Sequence, residues 1–242
     1  MAKAMRRSRR AHRRSACGFD GYQSKAEGTA MTRVKICGLA TVDDALFASQ
    51  AGANFIGIVF APGRRQVSIQ TASDIAQSIH SSANNTDVVG VFVNTPAEEV
   101  NHIAGICGLD RVQLSGDETW EYCLAIEHPI IKVMHIAERT MASQVIAELE
   151  RGKRLMANRD WMCLLDTKMG DAYGGTGKAF NWQIASEIAQ RFSVMIAGGL
   201  DPQNVKKVIR DVSPMGVDVS TGVETNKCKD QNKIKAFIEA VK

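Results

Sequence analysis

The chain has 242 residues, 45% hydrophobic and 23% charged, an ordinary composition for a globular protein with room for one sizeable core. No apolar run approaches the roughly 18 residues that a membrane-spanning helix needs, and no apolar stretch follows the N-terminal basic residues as a secretory signal requires, so a soluble, cytoplasmic protein is expected. The net charge of +4 is unevenly placed: residues 1–30 contribute +6, leaving −2 on the remainder, which has no basic excess to suggest nucleic acid or an anionic membrane.

Residues 1–30 carry Arg6, Arg7, Arg9, Arg10, Arg13 and Arg14, followed by small and polar residues with almost no apolar periodicity. They are expected to be a disordered extension. An RNA-binding arm or a transit peptide would share this composition, but folded-type sequence starting directly after it favours an upstream start or cloning remnant ahead of Met31.

From Val34 onward, short apolar runs alternate with amphipathic stretches. The strand-like runs are 34–37, 55–60, 88–93, 111–114, 130–136, 161–166, 194–197 and 217–220. Between them, helix-like segments include 42–50, 71–79, 97–106, 139–149, 182–191 and 202–211, several with apolar residues three or four apart. Nearly all-apolar strands separated by helices need a parallel sheet covered on both faces. Eight such units in residues 31–242 fit a single (β/α)₈ TIM barrel domain. An open doubly wound sheet is the alternative, but the turn Cys37-Gly38-Leu39-Ala40 after the first strand lacks the GxGxxG of a dinucleotide site.

In such barrels the C-terminal strand ends converge on one mouth, so polar residues that close apolar strands are the first candidates for function. Here they are Cys37 after the first strand, Asp166 after the sixth, Gly198 and Gly199 after the seventh, and Asp218, Ser220, Thr221 and Gly222 at the eighth. Backbone N–H groups at the last two places suit a phosphate, a reading favoured over the alternative that Gly198-Gly199 merely permits a tight turn into a helix starting at Asp201-Pro202. A thiolate and a carboxylic acid can work as base and acid, but position alone also allows Cys37 to be an idle strand-end residue and Asp166 a cap. The segment Tyr173-Gly174-Gly175-Thr176-Gly177-Lys178 fails as a nucleotide loop, because Ala172 and Ala179 replace the required Gly and Ser/Thr, and reads instead as a lid. The six cysteines show no CxxC and no zinc-ligand spacing, so no metal is expected.

Val34-Lys35-Ile36-Cys37-Gly38-Leu39 with Asp44-Ala45, and Leu164-Leu165-Asp166-Thr167-Lys168, resemble blocks of the phosphoribosylanthranilate isomerase family. So do the run from Tyr173 to Trp182, Ala197-Gly198-Gly199-Leu200-Asp201-Pro202-Gln203-Asn204-Val205, and Val217-Asp218-Val219-Ser220-Thr221-Gly222-Val223-Glu224. The resemblance implies an Amadori rearrangement of N-(5-phosphoribosyl)anthranilate in tryptophan biosynthesis, with Asp166 as general acid, Cys37 as general base and no cofactor. It also implies that Arg65 pairs with the anthranilate carboxylate and that the partner is this small-molecule substrate, while the sequence leaves monomer or homodimer open. Ser115 stands where many relatives have histidine. A dual-substrate isomerase that also handles a histidine-pathway ribonucleotide is the nearest alternative, but such enzymes carry an aspartate at the position of Cys37.

Overall fold

The computed structural model describes residues 31–137, 139–169, 172–173 and 182–242. The N-terminal extension and the glycine-rich segment from Gly174 to Lys178 lie outside the described residues.

Eight parallel strands form the sheet: β1 (Arg33–Cys37), β2 (Phe55–Val59), β3 (Asp87–Phe92), β4 (Arg111–Leu114), β5 (Ile130–Ile136), β6 (Trp161–Met169), β7 (Val194–Ile196) and β8 (Gly216–Val219). Each pairs with the next in chain order, and β1 also pairs with β8, so the sheet closes on itself. That closure excludes the open sheet and makes the chain a (β/α)₈ barrel. The helices are α1 (Val42–Ala51), α2 (Ile69–Ser81), α3 (Ala97–Cys107), α4 (Trp120–Leu124), α5 (Ala142–Leu155), α6 (Trp182–Ala189), α7 (Val205–Val212) and α8 (Gln231–Val241).

Side-chain alternation along the strands divides the apolar residues into two cores. The larger lies between sheet and helices, where Ile36, Ile56, Val112 and Leu165 meet residues such as Ile75, Ile79, Leu149 and Phe237. The smaller fills the barrel itself with Phe55, Val89, Ile131, Val133, Met162, Leu164, Met195 and Ala197. Local signals place the helices on the larger core. In α2, Ala72, Ile75, Ala76 and Ile79 repeat at helical spacing, and the Ser68 hydroxyl accepts from the Thr71 N–H at the start.

Three elements differ from the sequence expectation by three residues or more at a boundary. Helix α7 begins at Val205 and not at 202, because Asp201 Oδ1 accepts from the N–H groups of Gln203 and Asn204 at 2.8 Å each and holds that stretch as a turn. Helix α5 begins at Ala142 and continues to Leu155. Strand β6 runs past Asp166, where it leaves the barrel and pairs antiparallel with Ala172–Tyr173. Helices α4 and α8 lie beyond the segments delineated from periodicity.

Candidate active site

At the C-terminal ends of the strands opens a cavity of about 410 Å³, within the usual range for small-molecule sites. Cys37, Arg65, Asp166, Gly198, Gly199, Asp218, Ser220 and Thr221 all line it. Gly222 does not line it. There the β8 loop crosses the loop after β7 so closely that a Cβ would stand 1.8 Å from the Leu200 carbonyl oxygen, which makes Gly222 the residue that lets two loops touch.

Cys37 ends β1 with its thiol inside the barrel mouth and 8% of its surface exposed. Beside it on β2, Gly57 has no side chain, and a Cβ there would lie 2.8 Å from Cys37 Sγ. Two residues down β1 and on the same face, Lys35 is fully buried and donates from Nζ to Asp218 Oδ1 at 2.9 Å. Burial holds the Cys37 thiol above its ordinary range; the Lys35 ammonium pulls against this, Asp218 adds to it and Lys229 pulls it down. For Lys35 itself, burial works to neutralise the ammonium, but Asp218 and Cys37 outweigh it and hold the pKa above its ordinary value. Asp218 is thus committed to a buried lysine at the floor of the cavity, a partner that the sequence reading did not foresee.

Arg65 comes from the loop after β2. Its side chain lies across Gly38, whose φ of +78° and missing Cβ make room: a methyl group there would meet Arg65 Cδ at 2.5 Å. Arg65 Nε donates to Glu224 Oε1 at 2.9 Å, while Arg64 donates to Glu224 Oε2 at 2.5 Å and to the Lys227 carbonyl at 2.7 Å. Lys229 Nζ donates to the same Glu224 at 3.2 Å and to the Ser220 carbonyl at 2.8 Å. One buried carboxylate therefore fastens the β2 loop to the loop after β8. Of the two adjacent arginines, Arg65 is the inner one, with 23% of its side chain exposed against 41% for Arg64.

Asp166 stands across the mouth on β6, half-buried, with His135 of β5 directly opposite it in the ladder. His135 Nε2 lies 2.9 Å from the Ser115 carbonyl oxygen, and the Ser115 hydroxyl accepts from Gln113 Nε2 at 3.0 Å. The imidazole at this part of the rim is thus supplied by β5. Sequence reading passed over it, although a histidine near the end of an apolar strand is the same signal that picked out Asp166.

The far end of the cavity is made by the turns after β7 and β8. Gly198 and Gly199 take φ of +93° and +67°, values that suit glycine, and Asn204 Nδ2 braces the turn by donating to the Gly199 carbonyl at 2.8 Å. Ser220 and Thr221 face them, Thr221 opening a 3₁₀ turn, Thr221–Val223. No cluster of three or more His, Cys, Asp or Glu capable of holding a metal occurs among the described residues. No described helix is long and apolar enough to cross a membrane.

Closed barrel and mouth together define a (β/α)₈-barrel enzyme with its site at the carboxyl ends of the strands. A family profile described as N-(5'-phosphoribosyl)anthranilate (PRA) isomerase matches residues 34–240. An N-(5'-phosphoribosyl)anthranilate isomerase from Dehalococcoides mccartyi is 45% identical over 212 residues, covering 88% of this chain and 96% of that protein. Among solved structures, the phosphoribosyl anthranilate isomerase of Thermotoga maritima superposes with a TM-score of 0.74 at 36% identity, covering 87% of this chain and 98% of that one. A phosphoribosyl anthranilate isomerase in complex with reduced 1-(o-carboxyphenylamino)-1-deoxyribulose 5-phosphate gives 0.71 at 33% identity, with the same coverage. The chain belongs to the N-(5'-phosphoribosyl)anthranilate isomerase family and is an isomerase of tryptophan biosynthesis.

Proposed function

We propose that the chain carries out the Amadori rearrangement of N-(5'-phosphoribosyl)anthranilate to 1-(o-carboxyphenylamino)-1-deoxyribulose 5-phosphate with Asp166 as general acid and Cys37 as general base. The observation that carries this reading is the placement of these two groups on β6 and β1, facing one cavity with β7 and β8 between them. A ribose held there meets a carboxyl group from one side and a thiol from the other. The Asp166 carboxyl protonates the ring oxygen, and the C1–O bond opens to a protonated imine. The Cys37 thiolate then takes the proton from C2, and that C–H pair becomes the C1=C2 bond of an enolamine while the imine π pair returns to nitrogen. Protonation at C1, with loss of the C2 hydroxyl proton as its O–H pair closes the C=O bond, gives the ketone. Proton transfers of this kind contribute about 10²- to 10⁴-fold each.

The remaining groups divide the binding. The Gly198-Gly199 turn, Ser220 and Thr221 receive the phosphate through backbone N–H groups and hydroxyls, with Gly222 keeping the two loops in contact. Asp218 shapes the floor beneath the ribose through its pair with Lys35. Arg65, anchored at Nε, offers its outer nitrogens to the anthranilate carboxylate. The proposal puts this activity in the cytoplasm, and the redox-neutral step calls for no cofactor.

The test follows the loss of phosphoribosylanthranilate fluorescence with the purified full chain, beside an assay with the histidine-pathway aminoaldose ribonucleotide. Turnover of the first alone supports the reading. Comparable turnover of both would make the chain a dual-substrate isomerase, and turnover of neither would overturn the proposal.

A further inference from the structure

We propose that Lys35, held by Asp218, is the positioning residue for Cys37: its buried ammonium is the counter-charge beside which the thiolate forms. The inference rests on the reading of Cys37 as the base.

A lysine inside a barrel demands an explanation, because an ammonium taken out of water is costly and a well-packed apolar pair usually serves stability as well or better. Lys35 and Cys37 are two apart on β1, so their side chains share the interior face and stack one above the other. Gly57 opposite them removes the wall that any other residue would raise: the position of its absent Cβ lies 2.8 Å from Cys37 Sγ and 3.1 Å from Lys35 Nζ. Thiol and ammonium thus share one small space. Asp218, beside Lys35 in the β1–β8 ladder, accepts a hydrogen bond from the ammonium at 2.9 Å and fixes the head group there.

Other charged groups face the thiol less directly. Lys229 is turned to the Ser220 carbonyl and Glu224, and Arg65 to Glu224. Asp166 and His135 stand on the opposite wall of the cavity. Lys35 is therefore the cation seated against Cys37, where it opposes part of the burial that disfavours a thiolate. It transfers no proton in the reaction and remains an ammonium while the thiolate accepts the C2 proton. The pairing also gives Asp218 a task distinct from substrate contact: without it, the same burial would tend to neutralise Lys35 and remove the counter-charge.

The experiment measures the pH dependence of Cys37 alkylation by iodoacetamide in the full chain, read at the Cys37 peptide by mass spectrometry, so that turnover is not needed as the signal. Lys35→Met and Lys35→Gln should each raise the alkylation midpoint by about one unit, a tenfold loss of thiolate at a given pH. They should lower kcat more than they raise KM, and Lys35→Arg should keep the parental midpoint. An unchanged midpoint in either neutral variant, with parental circular dichroism, would overturn the proposal, as would Lys35→Arg behaving like the neutral pair. Should neither neutral variant fold, Gly57→Ala decides: a methyl group wedged between Nζ and Sγ must raise the midpoint, and a parental midpoint overturns the pairing. Failure of the base reading looks different, since Cys37→Ser would then retain turnover whatever the alkylation midpoints show.

Discussion

Strands β5 to β7, with Ala197 just after β7, line the barrel interior with Ile131, Val133, Met162, Leu164 and Met195, whereas β8, β1 and β2 bring Asp218, Lys35, Cys37 and a bare Gly57 to the same space. The interior face of the first wall is packed from apolar side chains and presents His135 and Asp166 at its outer edge. The second carries a buried ion pair directly under the thiol. Stability and chemistry are therefore separable on the apolar wall and coupled on the polar one.

The coupling is broken most severely by Asp218→Ala, which leaves the Lys35 ammonium buried without its carboxylate. Loss of one partner of such a pair should cost about 3–5 kcal/mol in urea unfolding. The double variant Lys35→Met with Asp218→Leu should regain most of that stability and little of the turnover. A stable Asp218→Ala protein would mean that the pair is not what holds this wall.

On the apolar wall, Ile131→Ala should cost about 3 kcal/mol through the cavity it leaves, with kcat little changed, because the side chain lies below the mouth. Steady-state kinetics of the folded variant checks this. A kcat loss as large as that of a mouth variant would remove the distinction between the walls.

Arg65→Ala sharpens the comparison from the rim. Its proposed partner is remote from the proton transfers, so KM should rise about tenfold while kcat holds. Arg64→Ala, which removes the outer and more exposed arginine, should do less. A reversed order would assign the carboxylate to Arg64.

The smallest effect concerns the latch at Glu224. Burial works to raise its pKa, but donation from Arg65 and Arg64 outweighs this and holds the carboxyl below its ordinary value. Its contribution is therefore complete above the ordinary glutamate pKa and fades as pH falls through the lowered one. Glu224→Gln should cost about 1–2 kcal/mol near neutral pH, and the melting temperatures of parent and variant should converge in acid. A gap that persists at low pH would show that the loss is one of packing and not of charge.

The strands were legible because each is buried on both faces and reads as a short apolar run. Within the site, Cys37 and Asp166 stood out as polar residues closing such runs, and both line the cavity. Lys35 was legible only as part of a motif: a lysine inside an apolar run announces no partner, and Asp218 lies 183 residues away. Glu224 was likewise one letter of a block until the fold set it against two arginines from the β2 loop. The start of α7 was misplaced because proline at 202 suits both a first helical turn and the Asp201-capped turn that forms.

The most direct test of the account compares the rate of phosphoribosylanthranilate fluorescence loss for Cys37→Ser and Asp166→Asn with that of the parent, at matched melting temperature. Each variant is predicted to lose at least about 10²-fold in kcat. Near-parental turnover in either folded variant would contradict the assignment of base and acid to the two facing walls.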